Sequence, residues 1–194
     1  NGDHGLEDVP EYTLIEYAYY KMALDAGILM SDCRIYSNAG ENHFMTKRFD
    51  RTQGKKVHMQ SLGAMAHISY KEPGLCSYEM AAGYMREIHL PIKDIEQFYS
   101  RMVFNCVAVN QDDHVKNISF LMNRSGEWRL SPAYDVTYSY DVTNKWLSAH
   151  QMTINGKKSN INLTDLLSAG ENMGLKKKKC KDIISRISLV ISDF

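Results

Sequence analysis

Cysteine is sparse and scattered in this chain: Cys33, Cys76, Cys106 and Cys180 include no C-x-x-C pair. That spacing argues against a compact zinc site and leaves the four as buried thiols of a reducing compartment. Long apolar runs are missing as well, and no signal peptide opens the sequence, so no membrane span is expected and the cytoplasm is the expected location. For the same reason the glycosylation-like triplets at Asn117, Asn123 and Asn162 carry no weight. Excess charge of either sign is absent: 23 Lys and Arg balance 23 Asp and Glu, so the chain as a whole is drawn neither to nucleic acid nor to a membrane surface. Internal repeats and low-complexity linkers are lacking too, so nothing marks a division of the chain.

What is present suffices for one sizeable core, or a main lobe with a smaller attached piece: 194 residues with 44% hydrophobic content exclude a disordered chain. The opening Asn1-Gly2-Asp3-His4-Gly5 reads as a loop, and a first residue other than Met suggests a fragment of a longer protein. From Val9-Pro10 a helix is predicted, with Leu14, Tyr17, Ala18 and Met22 on one face, Glu16 inside it and Gly27 ending it. Two short strands, Cys33–Tyr36 and His43–Thr46, flank the turn-forming residues 38–42 and lead into Arg48-Phe49-Asp50-Arg51. Helices follow over Ser77–Ile88 and Ile92–Val109, the second drawing a single apolar stripe through Ile95, Phe98, Tyr99, Met102, Val103 and Cys106. Residues 118–122 and 127–130 then form a hairpin about Asn123-Arg124-Ser125-Gly126, and the C-terminal third is helical again, with Cys180, Ile183, Ile184, Ile187, Val190 and Ile191 as its stripe. The fold class expected is mainly α within α+β, with a short β section near the N-terminus and a β-hairpin beside the site.

Chemistry concentrates around that hairpin. Antiparallel pairing brings the residue before its first strand close to the residues after its second, so Asn117 and Asp135 should meet. An Asn carbonyl and an Asp carboxylate are hard oxygen ligands suited to Mg²⁺, which keeps several waters and completes its shell with phosphate oxygens. Asp112, five residues before Asn117, is placed to face the same spot and take a proton from a substrate hydroxyl. One carboxylate for the nucleophile and two oxygen ligands for metal is the arrangement that phosphoryl transfer requires.

Asp112-Asp113-His114-Val115-Lys116-Asn117, with Ser131-Pro132-Ala133-Tyr134-Asp135 and Arg48-Phe49-Asp50-Arg51, resembles the C-terminal domain of HipA-type kinases, bacterial toxin Ser/Thr kinases whose usual loop reads D-G-H-A-K-N. Here Asp113 stands in place of the Gly and Val115 in place of the Ala. The resemblance implies a kinase C-lobe over residues 53–194 preceded by a remnant of the N-lobe and hinge at 1–52. It implies ATP and Mg²⁺ as cofactors, Asp112 as catalytic base, and Asn117 and Asp135 as metal ligands. Backbone groups of Lys47, Arg48 and Phe49 would bind adenine at the hinge, with the R-F-D-R residues marking a strand that leads to it. His114 and Lys116 would bring positive charge to the transferred phosphoryl group. Partners implied are a protein substrate such as an aminoacyl-tRNA synthetase and a DNA-binding antitoxin. The glycine-rich loop and nucleotide-contacting lysine of the family would precede Asn1, so these 194 residues alone are expected to be a poor or inactive kinase, with Glu16 aligned to pair with that lysine.

Plainer readings stand beside these. Asp112, Asn117 and Asp135 are residue types that close turns, and Asp112-Asp113 suits an exposed turn. His114 is equally a packed loop histidine, and Arg48 and Arg51 are equally ion-paired strand residues. The run Lys176–Lys179 reads as a solvated helix start rather than a nucleic-acid patch. Two further classes remain open: a non-catalytic kinase-like binding module, and a small-molecule phosphotransferase of related fold.

Overall fold

Helix α1 (Glu11–Asp25) begins the residues that this computed structural model describes, 11–194, the side chain of Glu11 apart. The loop expected at Asn1–Gly5 and the helix start expected at Pro10 lie outside them. Gly27 terminates the helix as expected: at φ 75° it takes the left-handed conformation, and its N–H donates to the Leu24 carbonyl. The buried face is rotated from the predicted one. Tyr20, Met22, Ala23 and Ala26 enter the core, whereas Leu14 is exposed.

Strands β1 (Cys33–Asn38) and β2 (Glu41–Thr46) pair antiparallel across the two-residue turn Ala39-Gly40, both at positive φ. Such a turn matches the twist of the strands it joins. Arg48, Phe49 and Asp50 were expected in a strand, but they form a connection and turn. Only Arg51 enters the two-residue β3 (Arg51–Thr52), which pairs with β4 (Lys55–Lys56). The reason lies in Asp50, whose carboxylate takes Arg48 Nη2 at 2.6 Å and also Arg51, so the three side chains fold back on one another locally. Both arginines are therefore ion-paired, Arg48 from the connection before the turn and Arg51 from the first residue of β3.

β5 (His58–Ser61) was not foreseen, and it turns the predicted hairpin into a three-stranded sheet. It pairs with β6 (Ser119–Met122), which pairs in turn with β7 (Trp128–Leu130); Gln60, Phe120 and Leu130 share one rung. The short helix α2 (Leu62–Met65) follows β5, with the Ser61 hydroxyl accepting from the Ala64 N–H as its cap. Helix α3 (Tyr78–Glu87) sits where expected, capped by Ser77.

α4 (Ile92–Val107) is the axis of the core. Instead of one stripe, every residue from Phe98 to Phe104 is buried, including Ser100 and Arg101. It ends two residues before the predicted limit because Val109 turns to φ 57°, which breaks the helical path and delivers the chain to Asn110. Against α4 pack α5 (Leu163–Asn172), opened by a capping box between Asn162 and Asp165, and α6 (Lys177–Asp193). Lys176–Lys179 are all exposed at the start of α6, the solvated arrangement expected. The C-terminal third is less helical than predicted, since residues 131–162 hold no helix and are fixed by isolated bridges and side-chain hydrogen bonds. Cys76 and Cys180 are buried, Cys33 and Cys106 partly so, and all four thiols are free. The outcome is a mixed α+β fold, with 39% helix and 19% strand among the described residues. None of the described helices is long and apolar enough to cross a membrane.

Candidate active site

Two short segments are drawn together by backbone pairing. The β6–β7 ladder continues past its last rung, with Ser131 N–H donating to the Ser119 carbonyl at 2.9 Å. Beyond it, Gln111 N–H donates to the Ser139 carbonyl and Ser139 N–H to the Val109 carbonyl, so residues 109–111 run beside 139. The segment 131–135 is also tied to the connection that follows α1, the Ala133 N–H donating to the Leu29 carbonyl at 2.8 Å. Asp112, Asn117 and Asp135 consequently line one partly open cleft of about 30 Å³, a volume on the scale of a single water molecule.

The loop 110–117 is held from several sides. The first amides of α2 serve it from below: Leu62 N–H donates to the Ile118 carbonyl at 2.8 Å and Gly63 N–H to the Val115 carbonyl at 3.1 Å. A β-carbon on Gly63 would lie 2.9 Å from Val115 Cγ2, so the close approach requires glycine. Asn117 Nδ2 donates to the Asp112 carbonyl at 3.0 Å, which fixes the amide and leaves its Oδ1 without a partner among the described residues. Tyr134 joins the two segments. Its hydroxyl donates to the Lys116 carbonyl at 2.6 Å and lies 2.6 Å from Ser119 Oγ. Next to it Asp135 sits exposed at φ 56°, a left-handed conformation Asp tolerates better than most residues.

Carboxylates face one another across this cleft. Partial burial raises the pKa of Asp112, nearby His114 lowers it, and the charges of Asp135 and Asp113 raise it further. Glu16, read as a helix-surface carboxylate when unpaired, is half-buried instead; desolvation first and Asp135 second push it up to about 7. Asp135 thus lies near enough to raise both Glu16 and Asp112, while His114 stands beside Asp112. Together with the free Oδ1 of Asn117, this oxygen donor set fits a hard divalent cation better than zinc or copper. Among the described residues no three His, Cys, Asp or Glu side chains gather as a self-sufficient metal cage, so oxygens from water or phosphate would have to complete the shell.

His114 Nε2 lies 3.8 Å from Asp112 Oδ1, and its ring packs edge-on with Tyr70, while its buried Nδ1 has no partner among the described residues. The Lys116 ammonium stands over the same Tyr70 ring, 4.2 Å from the centroid, a cation–π contact. Of the expected adenine-binding residues, Lys47 is exposed, with Nζ 3.7 Å from Asp32 and its N–H donating to the Asp32 carbonyl; Arg48 is engaged with Asp50. Phe49 packs against Tyr134.

Asp113 is not the exposed turn residue of the plainer reading. It is 3% exposed, accepting from Tyr78 Oη, His150 and the Gln151 N–H. Sequence reasoning missed this anchor, as it missed Arg101, whose buried guanidinium donates to the Ser131 carbonyl from the middle of α4. The one local signal was a pair of polar residues, Ser100 and Arg101, in the middle of the stretch that carries the apolar stripe of α4; for His150 there was none.

Comparison with known proteins agrees with this architecture. The profile of the HipA-like C-terminal domain matches residues 3–193. The chain belongs to that family. A Haemophilus influenzae protein named "Putative kinase" is 27% identical over 203 residues, covering 88% of this chain and 58% of the relative. The Sinorhizobium fredii "Putative kinase Y4dM" is 31% identical over 135 residues, covering 66% and 29%. The chain therefore spans little more than half of the first relative and less than a third of the second. In fold it is similar to HipA of Shewanella oneidensis MR-1, solved with HipB and operator DNA, at TM-score 0.76 and 18% identity over all of this chain and 50% of that one. It is also similar to the Helicobacter pylori proinflammatory kinase CtkA, at TM-score 0.61 and 14% identity, covering 94% and 82%.

Proposed function

We propose that the protein is an ATP- and Mg²⁺-dependent Ser/Thr protein kinase of HipA type, with residues 53–194 forming its C-lobe and 1–52 a remnant of the N-lobe and hinge. The observation that carries the reading is the convergence of Asp112, Asn117 and Asp135 on one cleft from two segments separated by a hairpin. Asn117 Oδ1 and the Asp135 carboxylate would hold the metal. When bound, Mg²⁺ neutralises phosphate charge on ATP.

Asp112 orients the substrate hydroxyl and receives its proton as the oxygen forms the new bond to the γ-phosphorus and the bond to the bridging oxygen of the departing ADP breaks. Partial burial favours its protonated form, which strengthens it as a base. His114 and Lys116 bring cationic character to the same edge, and Lys47, Arg48 and Phe49 line the adenine end. Glu16 supplies the acidic partner for a nucleotide-contacting lysine. A protein substrate, an aminoacyl-tRNA synthetase among the candidates, a HipB-like antitoxin partner and a cytoplasmic location complete the proposal.

The test is transfer from radiolabelled ATP by the full-length protein in lysate. Asp112→Asn should retain nucleotide binding and lose transfer by about 100-fold or more, and Asp135→Asn should lose Mg²⁺-dependent labelling. Equal labelling by either variant and the parent protein sinks the corresponding assignment.

A further inference from the structure

Next to the candidate base lies a buried carboxylate that phosphoryl transfer does not use. Asp113 is held by three groups from two parts of the fold: Tyr78 Oη of α3 donates to its Oδ2 at 2.8 Å, His150 Nδ1 lies 2.9 Å from the same oxygen, and the Gln151 N–H donates to Oδ1 at 2.7 Å. A carboxylate only accepts, so the His150 nitrogen facing it is the one bearing hydrogen. The His150 and Asp113 side chains are 5% and 1% exposed, out of reach of solvent.

The contacts run on. Asn105 Nδ2 donates to Tyr78 Oη at 3.0 Å, and Asn110 Nδ2 donates to Asn105 Oδ1 at 3.0 Å. One chain of side-chain hydrogen bonds therefore starts at Asn110, where the loop begins, passes through α4 and α3, and returns to the loop at Asp113. It closes on His150, in the irregular segment, whose backbone is held as well: His150 N–H donates to the Lys158 carbonyl and Gly74 N–H to the Gln151 carbonyl. The carboxyl of Asp113 points into the protein while the side chain of its neighbour Asp112 is 40% exposed at the cleft. Holding Asp113 restrains the backbone beside Asp112, and Asn117 Nδ2, donating to the Asp112 carbonyl at 3.0 Å, restrains the same peptide from the other side. A buried network of this kind favours one conformation, since releasing any member strands the others without water; its open end is Asn110 Oδ1, buried and without a partner among the described residues.

We infer that Asp113 and His150 are a positioning pair, holding the catalytic loop so that Asp112 faces the cleft. This rests on the phosphotransfer reading for its consequence, though not for its geometry. Neither residue touches substrate; the pair acts through Asp112.

The experiment compares His150→Leu, which removes the donor, with His150→Asn, whose amide reproduces a donor at the Nδ1 position, in the full-length protein. Hydrogen exchange followed by mass spectrometry should show the amides of 110–117 exchanging about tenfold faster in H150L, with α6 unchanged and H150N close to the parent. In transfer assays H150L should lose about tenfold or more in kcat, with KM for ATP within about threefold, and H150N should recover most of it. Unchanged exchange at 110–117 in H150L overturns the pair whatever the activity, as does acceleration spread evenly over the domain, which marks a merely structural residue. Locally faster exchange with no transfer by the parent protein supports the pair as a loop anchor and overturns the kinase reading instead.

Discussion

Phe49 and Tyr134 lie ring against ring, with centroids 5.6 Å apart and planes inclined by 38°. One belongs to the connection after β2, the other to the loop that ends in Asp135. The segment assigned to adenine is thereby in contact with the segment assigned to metal, and the contact passes through the same tyrosine that binds the Lys116 carbonyl.

This contact predicts the behaviour of Phe49→Ala. An aromatic pair contributes about 0.5–1.5 kcal/mol beyond the area it buries, so loss of the ring should raise KM for ATP roughly 2- to 10-fold. With the Lys116 and Ser119 contacts of Tyr134 intact, kcat should stay within a factor of about three. Steady-state kinetics at varied ATP checks this; a fall in kcat with KM unchanged would place Phe49 outside the nucleotide end.

A second prediction concerns the helical layer beneath the site. Gly170 is the point where α5, α4 and α6 come closest: an added β-carbon would overlap Cys180 Sγ and come within 2.8 Å of Tyr99 Cε2. Tyr99 is itself pinned, its hydroxyl donating to the Leu166 carbonyl at 2.9 Å, so it has little room to yield. Gly170→Ala should destabilise the protein by about 1–3 kcal/mol through overpacking, against the small gain in helix propensity that alanine brings. Chemical denaturation of the purified chain measures it, and an unchanged midpoint would mean that α5 shifts freely.

The parts that were legible in the sequence are those whose causes are local. The hairpin was readable because Asn123-Arg124-Ser125-Gly126 is a turn sequence, with Gly126 at φ 82°, between two apolar runs. That pairing also leads the segments carrying Asn117 and Asp135 to one cleft, helped by Tyr134 between them. β5 was not readable, because His58-Met59-Gln60-Ser61 has no alternation and becomes a strand only by pairing with β6. The anchoring of Asp113 was hidden for a similar reason: its partner His150 is 37 residues away, in a stretch with neither helical nor strand periodicity. The apolar period of α4 identified one face correctly, but a helix at the centre of a domain is covered on the others too, and Ser100 and Arg101 disguised that.

Glu16 gives a prediction whose sign is set by burial. Desolvation, aided by the charge of Asp135, lifts its pKa from 4.5 to about 7. The folded protein therefore holds this proton more tightly than the unfolded chain, and between about pH 4.5 and 7 stability falls as pH rises. Below that window Glu16 is neutral in both states and has no effect; above it, the buried charge acts in full. Glu16→Gln removes the charge at similar size. In the metal-free, nucleotide-free 194-residue chain it should raise stability at pH 8 by roughly 1–2 kcal/mol, after allowance for solvent screening of a half-buried group, and leave it unchanged at pH 4. Thermal melts of both proteins across this range, with chelator present, decide the matter. Added Mg²⁺ should narrow the difference at pH 8, because a cation held by Asp135 offsets part of the repulsion that Glu16 experiences. A gain from the glutamine that is equal at pH 4 and pH 8 would show that the effect comes from helix propensity or packing rather than from the charge.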